Sequence, residues 1–453
     1  MKRSLLTFAL LILLSIISIN TFAQADTTKT TKRDKDLKKG FSFGGVPALA
    51  YDSDLGFLYG IIFNLYHYGD GSNYPNYNHS LYMEWSRTTK GSGKNILEYD
   101  NRTLIPNGRM KIELSYLTEQ ALDFYGFNGY HSYYNAQYLD KTSPDYISRL
   151  YYRHDRKLLR FKTDFQGKLV GKNLRWFAGF SYYNIKIGSV NIDKLNDGRD
   201  AEEMLPDTAS LYDKYVEWGV LKSSQVNGGN TNLLKFGAVY DTRDNEASPN
   251  RGIWSEVMLI TAPGFIGNKY SYTKISLTHR QYFTLYPKKV VFAYRLNYQG
   301  LIGGEIPFYM MPFYFRSKDV KDGLGGSKTL RGILRNRVVG DGAILGNMEL
   351  RYKFLNTRVF NQNFSITLSA FMDAARIIQF HEVDTTGVTA SYGKTREENI
   401  KELNYQDESF HVSYGGGLHF AINHNFIIAV DYGLAGNPLD GSRGLYIGLN
   451  YIF

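Results

Sequence analysis

From Phe41 onward the chain is dominated by a period of two. Asn347, Glu349, Arg351 and Lys353 alternate strictly with Met348, Leu350, Tyr352 and Phe354. Ser365, Thr367 and Ser369 alternate with Phe364, Ile366, Leu368 and Ala370. Leu174, Trp176, Ala178, Phe180 and Tyr182 share one face, with Arg175, Gly179 and Ser181 on the other. Neighbouring side chains of a strand point to opposite faces, so this spacing predicts strands that are apolar on one face only. A soluble sandwich turns that face inward, and a membrane barrel turns it to lipid.

Length separates the two. The pattern predicts about sixteen strands, near 41–50, 55–66, 78–88, 94–104, 107–118, 148–166, 172–187, 231–242, 251–262, 270–285, 288–302, 342–354, 362–378, 408–421, 424–434 and 442–453. Most hold roughly ten residues or more, which suits a tilted bilayer crossing. Long connections fall near 119–147, 188–230, 303–341 and 379–407, and short ones near Gly167–Gly171, Tyr286–Lys288 and Ile422–His424. Long loops on one side and tight turns on the other are the habit of outer-membrane barrels. The fold class expected is all-β: a transmembrane antiparallel up-and-down barrel over 41–453. An even strand count puts both termini on one side, the periplasm. The last strand sets Leu445, Ile447, Leu449, Tyr451 and Phe453 on one face and ends on an aromatic residue at the membrane boundary.

The N-terminus reads as an export signal over residues 1–25. Lys2-Arg3 is basic and Leu5 to Ile19 is an apolar run of about fifteen residues, short for a spanning helix. Cleavage after Ala23 or Ala25 fits the small residues there. Residues 26–40 form a polar lead-in with six Lys/Arg and three Asp. The expected location is the bacterial outer membrane.

Composition narrows the chemistry. Of 453 residues 37 are Tyr and 28 Phe, against 4 Trp, and 44 are Gly, a profile for strands rather than helices. The absence of cysteine excludes disulfides, thiolate metal sites, cysteine nucleophiles and an N-terminal lipidated cysteine. The net charge of +10 is too dilute along the chain for a nucleic-acid partner. Nine His are scattered without a metal-binding spacing, and no nucleophile elbow occurs. Gly323 to Thr329 glances at a phosphate loop, but Ser327 stands where the glycine before the lysine belongs. No enzymatic role, cofactor or metal is expected.

Three segments are more specific. Asp241-Thr-Arg243-Asp244 runs on to Pro249 and Gly252 between two strands, a turn built from residues that bond their own backbone or fix φ. Leu330-Arg331-Gly332-Ile333 lies in the long 303–341 connection, followed by the Glu349-Leu350-Arg351 strand. Phe371-Met372-Asp373 sits at the outer end of the next strand. In this order they resemble the BamA-like superfamily of outer-membrane assembly insertases and two-partner-secretion transporters, also called the bacterial surface antigen type. The resemblance is strongest from Asp241 to the end. With about fifteen residues between signal and barrel, the chain looks like a barrel-only branch without periplasmic POTRA modules.

The resemblance implies an extracellular loop folded back into the lumen, with Arg331 at its tip facing Glu349 and Asp373. Alternation independently turns both acids to the polar face. Two positions depart from the family pattern: Ile333 replaces an aromatic residue and Ala375 a glycine. The first strand holds Gly44, Gly45 and Pro47, which weaken a strand and suit an edge. With Tyr451 and Phe453 of the last strand they form the expected seam. The function expected is outer-membrane protein assembly or translocation through that seam, with lipids, client barrels and periplasmic or lipoprotein subunits as partners. A loop-plugged transport pore, or a structural barrel with Tyr-rich binding loops at 119–147 and 188–230, are the alternatives.

Overall fold

The alternation drives the architecture. Outward positions carry Ile61, Trp85, Leu114, Phe236, Leu259, Leu296, Met348 and Leu368, all exposed, while inward ones carry buried Glu113, Arg160, Lys162, Arg295 and Glu349. Apolar residues face out and ionic residues face in, which only a lipid-facing closed sheet makes favourable. The computed structural model describes residues 38–453 apart from 75–76, 288, 318, 360–361 and 423–425. The expected signal and most of the lead-in, with Lys288, Asn423 and His424 of two expected turns, lie outside the described residues.

The strands are β1 (Phe41–Asp52), β2 (Gly56–His67), β3 (His79–Thr88), β4 (Ser92–Asn101), β5 (Gly108–Asp123) and β6 (Arg153–Val170). There follow β7 (Leu174–Gly188), β8 (Gly228–Asp241), β9 (Gly252–Ala262), β10 (Tyr272–Tyr286), β11 (Val290–Gly304) and the short β12 (Phe313–Phe315) and β13 (Val320–Asp322). The chain ends with β14 (Gly342–Val359), β15 (Gln362–Gln379), β16 (His411–Ile422), β17 (Phe426–Ala435) and β18 (Arg443–Leu449). Sixteen of them close an antiparallel barrel in sequence order, while β12 and β13 pair separately. Each of the sixteen expected strands has its counterpart. The turn expected at Gly167–Gly171 starts later, because β6 runs on to Val170.

The long connections 124–152, 189–227, 305–341 and 380–410 share one rim. They bury a common aromatic core: Phe124, Tyr125, Tyr151, Tyr212, Tyr215, Trp218, Phe308, Phe313 and Val388 among others. The loop tyrosines expected as binding surfaces are largely interior. They stack edge to face, as Phe124 does on Tyr215 at 5.3 Å, and cap the barrel mouth.

Closure is uneven. β1 pairs with β2 at twelve positions but with β18 at only two, Tyr51 with Ile447 and Asp52 with Tyr446. Ser53 extends the contact with three hydrogen bonds to Leu445: its amide donates at 3.1 Å and its hydroxyl at 3.2 Å to the carbonyl, and the hydroxyl accepts from the Leu445 amide at 2.7 Å. Residues 41–50, including Gly44, Gly45 and Pro47, have no β18 partner. The expected last strand ends early. Asn450 has φ 65°, a left-handed conformation that Asn tolerates and that breaks the ladder. Tyr451, Ile452 and Phe453 then turn into the lumen, so Tyr451 and Phe453 are neither in the lipid-facing girdle nor paired across the seam. Arginines draw them inward. Arg351 lies 3.8 Å from the Tyr451 ring and donates to the Phe453 carbonyl at 3.3 Å. Arg295 donates to the Ile452 carbonyl at 3.4 Å.

Candidate functional site

The 305–341 connection enters the barrel instead of standing above it. Its β12–β13 hairpin is tied to the wall by Gln299, whose side-chain amide donates to the Phe313 carbonyl at 2.8 Å and accepts from the Phe315 amide at 3.0 Å. Asp322 accepts from Arg156 of β6 at 2.6 Å, and Arg335 pairs with Glu119 of β5 at 2.5 Å. These bonds hold the loop against the wall strands β5, β6 and β11.

The tip then reaches the opposite wall. Arg331 is 0% exposed, and so is Asp373. The Arg331 backbone amide and Nε both donate to Asp373 Oδ2 at 3.0 Å, and Nη2 donates to Oδ1 at 3.0 Å. Nη1 faces Glu349 at 3.5 Å and Asp431 of β17 at 3.6 Å, and the guanidinium lies 3.4 Å from the Phe371 ring centroid. A planar fork meets a carboxylate with two parallel bonds, which no lysine can do. Three acids around one cation leave surplus negative charge. Arg351 shares Glu349 at 3.2 Å, and His419 meets Asp431 at 2.9 Å.

Gly332 makes the approach possible. Its φ is 97°, and a Cβ there would lie 2.6 Å from the Gly433 carbonyl carbon of β17. A Cβ on Gly433 would in turn lie 2.4 Å from the Arg331 carbonyl oxygen, so two glycines touch back to back. The Gly332 amide donates to the Tyr446 hydroxyl at 3.1 Å. Tyr446 is one of the two β18 residues paired with β1, so the tip is bonded to the seam strand itself. Leu330 and Ile333 are fully buried in one apolar cluster with Leu345, Ala375 and Ile377. Both departures from the family pattern, Ile333 and Ala375, thus pack in the same cluster.

The turn motif joins the same network. Arg243 donates to both oxygens of Asp241 at 2.9 and 2.8 Å, and Asp244 accepts from the Asn250 amide at 2.9 Å. Gly252 has φ 104°, and a Cβ there would meet the Thr242 carbonyl at 2.4 Å. Pro249 lines a small pocket with Arg351 and Tyr451. Arg243 and Arg280 both contact the Trp254 ring, at 4.8 and 3.9 Å. Arg280 is directly across from Arg295. Asn347 accepts from Arg295 at 2.8 Å and donates to Asp373 at 2.8 Å. One luminal row therefore runs from Asp241 to Arg331. Phe371, Met372 and Asp373 sit inside β15, which continues to Gln379, rather than at its outer end.

Sequence reading missed Trp254, Arg295, Asn347, Gly433, Tyr446 and Asp431. Two of them carried a usable signal: Asn347 shares the polar face with Glu349, and Asp431 is the sole charged residue of β17.

No curated protein sequence matches the chain. BamA from Haemophilus ducreyi lacking POTRA domains 1–3 is similar in structure, with a TM-score of 0.53 and 16% identity, covering 91% of this chain and 71% of that one. CdiB from Escherichia coli gives a TM-score of 0.54 and 8% identity, covering 91% of this chain and 63% of that one, so this chain spans less than two thirds of its length. At these identities the likeness is one of fold. In sequence, the Omp85 superfamily domain matches residues 109–453, more than half of the chain. A closed sixteen-strand barrel with an in-folded loop, an Arg331 tip and this domain leads to one assignment: the chain belongs to the Omp85 superfamily.

Proposed function

We propose that this barrel assembles or translocates proteins at the outer membrane through the gap between β1 and β18, with both termini periplasmic and residues 1–25 removed on export. One observation carries the reading: β1 has two residue pairs with β18 against twelve with β2. The backbone groups of residues 41–50 on that side form an open edge. In hydrocarbon an unpaired peptide group costs several kcal/mol. An incoming strand would satisfy these groups by β-augmentation. The Gly332–Tyr446 bond makes the Arg331 tip an internal brace at the paired end of that gap. Client barrels, lipids and a periplasmic or lipoprotein subunit are the partners this role requires.

The filled lumen favours this route over a solute pore. A cysteine pair at Tyr51 and Ile447 tests it, since these residues are already opposite and the chain has no other cysteine. Locking the seam is expected to abolish complementation of a depletion strain, and reductant to restore it. Depletion should also lower the levels of other outer-membrane barrels. Full activity with the seam locked would sink the mechanism.

A further inference from the structure

The outer face of the barrel sets two like charges side by side where its apolar band ends. Lys157 of β6 and Lys186 of β7 are directly opposite in the ladder, and both are exposed. The inward cations of β6 are neutralised: Arg156 pairs with Glu119, and Arg160 and Lys162 share Glu113 at 2.7 Å each. Lys157 and Lys186 form no ion pair among the described residues. Like charges directly across a ladder repel. The other directly opposed cations among the described residues, Arg280 with Arg295 and Lys168 with Arg175, take inward positions.

Position fixes the depth. Below Lys157 the outward positions of β6 include Leu159, Phe161, Phe165 and Leu169. The stretch from Leu159 to Leu169, at about 3.3 Å per residue and a tilt of about 40°, spans about 25 Å, the height of a lipid-facing band. Lys157 is therefore at the loop-side edge of that band, level with the headgroups. The acid of this corner is Asp155, two residues above Lys157 on the same face, and it is divided between Lys157 and Lys194 of the helix Ile192–Asn196. Asp213 of the cap is already bonded by Ser189 and Ser210. On the next outward row Asn184 donates to the Asn230 side chain at 2.6 Å, and the Tyr182 hydroxyl donates to it at 3.3 Å. Both amides keep N–H groups for a further acceptor.

We propose that this corner binds a phosphorylated glycolipid of the outer leaflet, its phosphate between Lys157 and Lys186 and its sugar hydroxyls on Asn184 and Asn230. A phosphate monoester carries about −1.5 to −2 charge at neutral pH, which matches two lysines. The lipid fixes in its leaflet a wall that is away from the β1–β18 gap. The inference rests on the proposed orientation, long loops outward, and on nothing else in that reading.

The test uses the full-length protein in nanodiscs of phosphatidylcholine doped with one probe lipid: bis-phosphorylated lipid A, the same lipid A dephosphorylated, or phosphatidylglycerol. Native mass spectrometry counts the lipid released with the protein. Each lysine beside an anionic headgroup contributes about fivefold, so the phosphorylated form is expected to bind about thirtyfold more tightly than the dephosphorylated one. Lys157→Gln/Lys186→Gln should bring the two to parity; both positions are exposed, so the barrel still folds. Lys168→Gln/Arg175→Gln, at the opposite rim, should leave the preference unchanged. Equal binding of the two lipid A forms, equal binding of phosphatidylglycerol, displacement by inorganic phosphate, or an undiminished preference in Lys157→Gln/Lys186→Gln would each overturn the site. Lipid is counted without any assembly activity, so failure of this site and failure of the seam are told apart.

Discussion

Arg331 neutralises acids that cannot reach water. Removing it leaves Asp373, Glu349 and Asp431 around an empty centre. Breaking a buried pair from one side costs about 3–5 kcal/mol. Arg331→Ala is therefore expected to lower the urea midpoint of the vesicle-inserted protein and to expose the loop to protease. Arg331→Lys should recover little, since a point charge cannot hold both Asp373 oxygens and reach Glu349. Arg331→Ala/Asp373→Ala should be less damaged than the two single losses added together, because the orphaned carboxylate is gone. Glu349 and Asp373 were readable because alternation fixes which face a strand residue takes; Arg331, in a loop, was readable only through the family resemblance of its Leu-Arg-Gly segment. Tyr446 and Gly433 were not, because their part depends on which strands the tip faces, and that is set by closure of the whole barrel.

At the scale of elements, the count and order of the sixteen barrel strands were legible, since period two repeats in every crossing, whereas the short β12 and β13 were not. The last strand misled because its apolar spacing continues through Tyr451 and Phe453 while Asn450 turns the backbone. Hydropathy does not record a positive φ. Val at position 450 resists the left-handed region. Asn450→Val is therefore expected to draw the tail out of the lumen and lengthen the β1–β18 ladder. Continuing the observed register sets Val46 opposite Ile452. A cysteine pair there should cross-link on oxidation in the Asn450→Val background and far less in its absence. The cap loops offer an element-scale pH response. Lys214, in the helix Leu211–Glu217, sits 5.0 Å from the Tyr151 ring and 4.4 Å from the Tyr392 ring. Burial pulls its ammonium down from 10.5 to about 8. Between those values the unfolded cap binds the extra proton, so cap stability rises with pH from about 8. Burial also lifts Tyr212 and Tyr215 from 10.0 to about 12, so the trend reverses above pH 10. Amide-exchange protection of residues 211–217 should peak near pH 10, and Lys214→Met should remove the rise.

For the whole molecule, the question is which way a polypeptide leaves. The cap is an element of the fold that sequence patterning hid: its contacts join loops far apart in the chain, and tyrosines in loops read as surface. With the cap above and the 305–341 loop across the middle, a cavity of about 410 Å³ remains beside the loop. It is lined by Tyr51, Lys94, Lys328, Tyr446 and Asn450, against the seam. This cavity thus adjoins the weakest ladder of the cylinder and extends to Leu117, Glu119 and Arg156 of β5 and β6. Phe308, Phe313 and Phe315 of the same loop also belong to the cap core, so plug and cap are one packed unit. Intact protein in planar bilayers is therefore expected to conduct little, with or without the Tyr51–Ile447 cysteine lock. Replacing 313–335 by a short flexible linker should open a steady conductance, because it removes the plug and undermines the cap together. A large steady conductance from the intact protein would instead assign the route to the lumen. The seam would then be an incidental weakness of a pore.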